Sequence, residues 1–284
     1  MWQNQNEVEY KKREHIVKPG VFIPQTNINY PQKPDEYILQ PKIIYPVKVD
    51  SNYPYLDKSF KGRLLNFAVY TGIFTFVFII HKIRYGLKIE GKKNLRAAKK
   101  YCKNGALTVC NHVYRWDFLA VVQAVRKKMW FISRTENVMT SDRNFVRGAG
   151  GIPLPEGSSG IRQYNQAFDE LHSKKKWIHI FPESCRWDYY EPIRPFKIGA
   201  FKMAYRYQIP VIPCVLTYRE AKGIYKIFKV KHPLITIHIG KAILPYAKDG
   251  ERKNDVCQRM RKEAHSQMVK MAGILQNCWE AQGD

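Results

Sequence analysis

The sequence predicts an α/β protein with a mixed, mainly parallel central sheet flanked by helices. Two observations predict it. From about residue 86 onward, short apolar runs of strand length alternate with amphipathic stretches of helix length. The chain has 284 residues, of which 45% are hydrophobic, enough for one large domain with a sizeable core.

The elements follow in order. Residues 1–57 are rich in Pro and Tyr, as in Tyr30-Pro31, Tyr45-Pro46 and Tyr53-Pro54-Tyr55. Repeated X-Pro steps favour extended backbone, so this part reads as an extended arm. Its aromatics either pack on the main domain or lie in a lipid interface. Residues 58–85 read as an apolar, membrane-associated helix. Its centre, Leu64–Ile80, carries no charge over 17 residues, with Lys58, Lys61 and Arg63 before it and Lys82 and Arg84 after it. A full span takes about 20 apolar residues. A short or tilted span, a re-entrant or interfacial helix and a buried core helix all stay open. The all-round hydrophobicity favours membrane insertion of some kind. Basic residues on both flanks leave its orientation unset.

Residues 86–250 hold the βα pattern. Leu87–Gly91, Ala106–Cys110, Trp130–Ser133, Trp177–Phe181, Val211–Leu216 and Leu234–Ile239 read as strands, and Asn94–Cys102, Asp117–Lys128, Ile161–Lys174 and Phe196–Tyr207 as helices. Residues 251–284 read as a C-terminal amphipathic helix with Val256, Met260, Ala264, Met268, Met271 and Leu275 on one face.

Lys and Arg total 48 against 24 Asp and Glu, a net charge of +24. Such a surface attracts polyanions: nucleic acid, anionic lipid headgroups or phosphorylated small molecules. The six cysteines form no C-x-x-C pair or metal-ligand spacing, so no metal is expected, and they read as small buried hydrophobes in a reducing compartment. The segment after Met1 lacks signal-peptide character, which places the working parts at the cytoplasmic face.

In α/β folds ligands gather at the carboxyl ends of strands. After the strand ending at Cys110 comes Asn111-His112-Val113-Tyr114-Arg115-Trp116-Asp117, the sequence's one His-x4-Asp. Residues five apart lie about 140° from each other around an α-helix and on opposite faces of a strand. The two side chains meet only if His112 sits in the turn and Asp117 in the first helical turn. A carboxylate there fixes the tautomer of a general base and stabilises its imidazolium. The competing reading is a capping Asn111 with an incidental His. After Phe181 comes Pro182-Glu183-Ser184-Cys185-Arg186-Trp187, an acid and a base at a second strand end. Between them, residues 147–160 are dense in Gly and Pro, allowing close backbone approach to a ligand, without the Gly-Lys-Ser/Thr ending of a Walker loop.

Taken together, Asn-His-x4-Asp, a Gly-Ile loop, Phe-Pro-Glu-x-x-Arg and Ile209-Pro210-Val211-Ile212-Pro213 resemble the glycerolipid acyltransferases, including the bacterial 1-acyl-sn-glycerol-3-phosphate acyltransferases. The likeness covers roughly residues 86–245, which would make 86–250 an acyltransferase domain. It implies an O-acyltransferase in phospholipid biosynthesis that moves a fatty acyl group from acyl-CoA or acyl-carrier protein to a lysophospholipid hydroxyl, foremost 1-acyl-sn-glycerol-3-phosphate. No cofactor beyond that thioester donor is implied. By resemblance His112 deprotonates the acceptor hydroxyl, Asp117 orients it, and Glu183 and Arg186 bind the acceptor, with Gly151 and Arg147 contributing from the glycine-rich block. Three positions depart from the family pattern. Ser184 replaces a Gly, Trp187 replaces a Ser, and Glu156 stands where the family has a phosphate-contacting Arg; Arg134, Arg147 or Arg162 would then substitute. The expected partners are anionic membrane lipids, the thioester and the lysophospholipid. The alternatives are an acyltransferase for a non-phosphatidate acceptor and a basic nucleic-acid-binding protein, though no helix-turn-helix, RNA-recognition or zinc-finger signature supports the latter.

Overall fold

The computed structural model describes residues 15–227 and 232–279. The first fourteen residues of the expected arm and the last five of the expected C-terminal helix lie outside the described residues.

Seven strands form the central sheet: β2 (Lys88–Glu90), β3 (Leu107–Cys110), β4 (Met129–Ser133), β5 (Gly151–Pro153), β6 (Trp177–Ile180), β7 (Val211–Arg219) and β8 (Leu234–Ile239), in the order β2-β8-β7-β3-β6-β4-β5. All neighbours run parallel except β7 and β8. The mixed, mainly parallel sheet is the one the sequence predicts. Alternate side chains divide between two cores. Leu107, Val109, Ile178, Ile180, Val211 and Val215 join one apolar cluster, and Cys110, Ile212, Cys214 and Leu216 the other. A central strand such as β3 is buried at all four positions because both faces are covered. On one face lie α1 (Phe60–Ile83) and α3 (Asp117–Val125), and on the other α5 (Ile161–Ser173), α6 (Gly199–Tyr207) and α7 (Lys253–Met271). Shorter helices are α2 (Lys92–Ala98), α4 (Arg143–Gly148) and a single turn at Ile224–Ile227.

Helix α1 begins at Ser59, whose hydroxyl accepts the Gly62 N–H at 3.0 Å, and carries a π-turn at Ile73–Val77. One side of it is fastened to the domain. Asn66 Nδ2 donates to the Gly148 carbonyl at 2.6 Å, and Tyr70 Oη bonds the carbonyls of Met129 and Ala149 while accepting the Met129 N–H at 2.9 Å. Gly148 makes this possible, since a Cβ there would stand 2.6 Å from Val69 Cγ2. The other side leaves Phe60, Leu64, Phe67, Phe76, Ile79 and Ile83 exposed.

Two elements differ from expectation. Gly151–Pro153, in the block read as a loop, is edge strand β5. The expected 251–284 helix is shorter: α7 ends at Met271, Gly273 turns the chain at φ +76°, and β9 (Ile274–Gln276) pairs antiparallel with β1 (Ile16–Val17).

Between residues 18 and 58 the chain holds no helix or strand, and its course is informative. Tyr30 Oη donates to the Asp188 carbonyl at 2.7 Å and Trp187 Nε1 to the Glu36 carbonyl at 2.9 Å, beyond β6. Arg134 Nη1 donates to the Leu39 carbonyl at 3.3 Å and the Ile44 and Tyr45 N–H groups to the Met139 carbonyl, beyond β4. The Glu156 N–H donates to the Val49 carbonyl at 2.9 Å, beyond β5. The arm therefore crosses the carboxyl ends of β6, β4 and β5 in their order in the sheet.

Candidate active site

Strand β3 stops at Cys110 while its neighbour β7 continues to Arg219. The Asn111 side chain fills the gap. Its Oδ1 accepts the Leu216 N–H at 2.8 Å and its Nδ2 donates to the Leu216 carbonyl at 3.0 Å. A side-chain amide thus takes the place of the next peptide unit, and the main chain can leave the sheet at residue 111 without orphaning β7. Asn111 caps a strand ladder rather than a helix.

Freed there, the chain turns through Val113–Trp116 into α3, whose first residue is Asp117. Asp117 is buried, and its Oδ1 accepts the Phe118 N–H at 2.7 Å. Its Oδ2 meets His112 Nδ1 at 2.7 Å. The turn brings the two residues together as their spacing required. With Nδ1–H given to the carboxylate, Nε2 is the nitrogen that carries the lone pair, and among the described residues no protein group hydrogen-bonds it. The imidazole is 22% exposed and lies flat on Phe181, ring centroids 3.9 Å apart and planes at 13°. An oriented base with one open nitrogen can take a proton from a hydroxyl placed above it.

Behind it stands a second histidine the sequence did not single out. His179, on β6, is fully buried, bonded at 2.8 Å to Thr108 Oγ1 and packed edge-on against Phe181. Burial, and next the charge of His112, push its pKa down to about 3, so it remains neutral.

Glu183 is equally buried. Its Oε2 accepts the His112 N–H at 2.9 Å and a 2.8 Å bond from Arg194 Nη2, and its Oε1 accepts the Arg194 N–H at 2.9 Å. Its oxygens are thus committed within the protein, to the base's own backbone. Arg186, which the resemblance paired with it in acceptor binding, is 28% exposed and held at Nε by Asp188 Oδ1 at 3.0 Å. Burial raises the Asp188 pKa, Arg186 opposes this, and the charges of Asp117, His112 and Arg115 also act on it, so these groups share one end of the sheet. Arg147 sits farther along the arm, ion-paired with Asp57 at 3.1 Å. Gly151 opens β5 packed against Val146 and Phe131, where a Cβ would stand 2.6 Å from Val146 Cγ1, so it serves close packing. Arg134 lies on the Tyr37 ring at 3.7 Å and bonds Glu136 at 2.8 Å. Glu156 is exposed. No group of His, Cys, Asp and Glu among the described residues is arranged to hold a metal ion.

The departures from the family pattern meet the arm. Ser184 adopts φ +67°, a conformation suited to the usual glycine, and lies near enough to Tyr37 to oppose the rise in the Tyr37 pKa that burial causes. Trp187 is fully buried beneath Tyr30 and anchors Glu36.

A His–Asp pair thus stands at the end of a central parallel strand, with Phe-Pro-Glu-x-x-Arg at the end of its neighbour in the sheet. Residues 86–217 match the Acyltransferase family model, which makes this part of the chain an acyltransferase domain and the protein an enzyme of the acyltransferase class. Among solved structures, it is similar to the 1-acyl-sn-glycerophosphate (LPA) acyltransferase PlsC from Thermotoga maritima at 16% identity and a TM-score of 0.46, over 74% of this chain and 96% of that one.

Proposed function

We propose that the protein transfers a fatty acyl group from an acyl thioester, acyl-CoA or acyl-carrier protein, to the free hydroxyl of a lysophospholipid, with 1-acyl-sn-glycerol-3-phosphate the first acceptor to test. The observation that carries this is the open Nε2 of a His112 fixed through Nδ1 by buried Asp117. Nε2 takes the acceptor's hydroxyl proton as its oxygen attacks the thioester carbonyl. The tetrahedral intermediate expels the thiolate, and the imidazolium returns the proton to sulfur. The test is membranes or detergent micelles holding the protein, labelled oleoyl-CoA and a panel of lysolipids, read by product chromatography. Ester formation on a lysophospholipid supports the reading; transfer only to acceptors outside that class overturns it.

For a phosphate-bearing acceptor, Arg186 is the favoured contact. Its Nε is tied to Asp188, while its terminal nitrogens make no hydrogen bond or ion pair among the described residues, whereas Arg134 and Arg147 are engaged by Glu136 and Asp57. An Arg fork matches phosphate geometry. Arg186→Ala should raise the KM for lysophosphatidate about tenfold, the loss of one charge-assisted contact, and leave the thioester KM within about twofold. Equal changes in both would remove Arg186 from acceptor binding. Glu156→Arg should improve lysophosphatidate use if residue 156 lies near the phosphate, and change nothing if it is a solvated loop residue.

Membrane association is part of the same reading. A helix fastened along one side by Asn66 and Tyr70 and bare and apolar on the other suits an interfacial position better than a span. Arg126 and Lys128 flank it, the first 5.9 Å from the Phe78 ring and the second 5.2 Å from the Tyr70 ring, suiting an anionic leaflet on the cytoplasmic face. Replacing Phe67, Phe76 and Ile83 by Gln should release most of the protein from phosphatidylglycerol vesicles in flotation, with its circular dichroism unchanged. Complete release of the wild-type protein by high salt alone would show that charge, not α1, holds it.

A further inference from the structure

Arg194 lies outside the four sequence blocks, yet it is the most completely buried cation of the site region, with no exposed side-chain surface. Its Nη2 bonds Glu183 Oε2 at 2.8 Å, the Cys185 carbonyl at 2.5 Å and, more weakly, the His112 carbonyl at 3.4 Å. Its Nη1 bonds the arm's Pro34 carbonyl at 3.0 Å and Cys185 Sγ at 2.9 Å. The guanidinium also stacks over Trp187 at 4.4 Å. Through Glu183 it reaches the His112 N–H, and directly it reaches the His112 carbonyl. Both backbone groups of the base are therefore held by one buried ion pair, which the N-terminal arm closes from outside.

We infer that Arg194 is a positioning residue for acyl transfer: with Glu183 it fixes the backbone of His112, and the arm residue Pro34 completes its ligand set. A carboxylate buried without a cation would take up a proton or lose its place, and either would free the His112 N–H. A fork is needed because three separate acceptors lie within its reach: the carboxylate, the Cys185 carbonyl and the Pro34 carbonyl. Lysine supplies the charge but a single nitrogen. The inference explains why Glu183 is closed to substrate, and why Trp187, a departure from the family pattern, lies between the arm and Arg194. The relay rests on the acyl-transfer reading above for its kinetic test alone.

The experiment uses the full chain as wild type, Arg194→Lys and the charge-free double variant Glu183→Gln/Arg194→Gln. The double variant leaves no unpaired buried charge. Its side-chain amide at position 183, however, offers one acceptor oxygen where the carboxylate offered two, so the N–H groups of residues 112 and 194 cannot both be held. Turnover of oleoyl-CoA and lysophosphatidate is measured as kcat and both KM values. Carbethoxylation of His112 by diethyl pyrocarbonate is followed by peptide mass spectrometry against His172 on α5, a readout independent of the acceptor. Arg194→Lys should keep its fold, lower kcat at least tenfold, leave both KM values within about twofold and raise the His112-to-His172 labelling ratio about threefold or more. The double variant should behave alike. Wild-type kcat in either folded variant, a loss confined to KM, or an unchanged labelling ratio overturns the inference. So does failure of both variants to fold, which would make Arg194 a residue of stability alone. Wild type without turnover on any lysolipid would overturn the acceptor reading, and the labelling ratio would still decide the role of Arg194.

Discussion

Replacing His112 by alanine should lower acyl transfer by about 10²–10⁴ while the protein still folds, the cost of a lost general base. Binding determinants remain in the variant, so both substrates should bind with little change. The fold should survive because the anchors at residue 112 belong to the main chain. Its N–H still donates to Glu183, and its carbonyl still accepts the Trp187 N–H at 2.9 Å. What is lost is a partly exposed ring, its stacking on Phe181 and one bond to Asp117, which keeps the Phe118 N–H. The cost to stability should be about 1–3 kcal/mol, that of leaving a buried carboxylate oxygen short of a donor. Product chromatography and thermal unfolding by circular dichroism check the two halves. Turnover equal to wild type would remove His112 from the chemistry.

The pairing of His112 with Asp117 was legible because only one local geometry brings two residues five apart together, a turn followed by a helix start, and the apolar run before Asn111 and the amphipathic run after Asp117 marked both. The sheet was legible for the same reason: Ala106–Cys110 and Val211–Leu216 are long enough and apolar enough to be strands in any context. Strand β5 was not. Three residues, Gly151-Ile152-Pro153, offer no period to read, and the glycine that suggested a ligand loop answers instead to Val146 and Phe131. Arg194 was hidden too. A cation in a Pro- and Tyr-rich connection gives no local sign of burial, and its partners Pro34, Glu183 and Cys185 converge on it only through the fold.

The arm is the clearest instance of meaning that appears only in three dimensions. Its Pro and Tyr residues predicted extended backbone. Which surface it covers was open. The bonds from Trp187 to Glu36 and from Arg194 to Pro34 place it over the segment that holds the base. Trp187, one of the departures from the family pattern, is the receiving half of that contact. Extended backbone cannot satisfy its own peptide groups, so it must borrow partners from whatever it crosses. Here it borrows from the connections that follow β6, β4 and β5, which couples its placement to the shape of the site.

Replacing Asn111 by alanine should damage stability and catalysis together. The Leu216 N–H and carbonyl point to the β3 side of β7, and Asn111 is their partner there. Alanine leaves both buried, with no peptide unit in reach, because the main chain turns away at this residue. Each unsatisfied group costs about 1–3 kcal/mol, so a loss of about 2–5 kcal/mol is expected. Water entering the gap would bring the loss toward the lower figure. The rate should fall as well, since the residue after the broken anchor is His112 and the near-attack geometry of a general base tolerates little displacement. Asn111→Asp separates the two halves of the amide. A carboxylate can still accept the Leu216 N–H but repels the Leu216 carbonyl, so it should be at least as damaging at neutral pH and recover in part when acid protonates it and restores a donor. Urea unfolding at two pH values and turnover under the same conditions measure this. A stability change within about 0.5 kcal/mol for alanine, the range of an ordinary surface substitution, would mean that β7 does not depend on Asn111 and that the turn bearing the base is held by Glu183 alone.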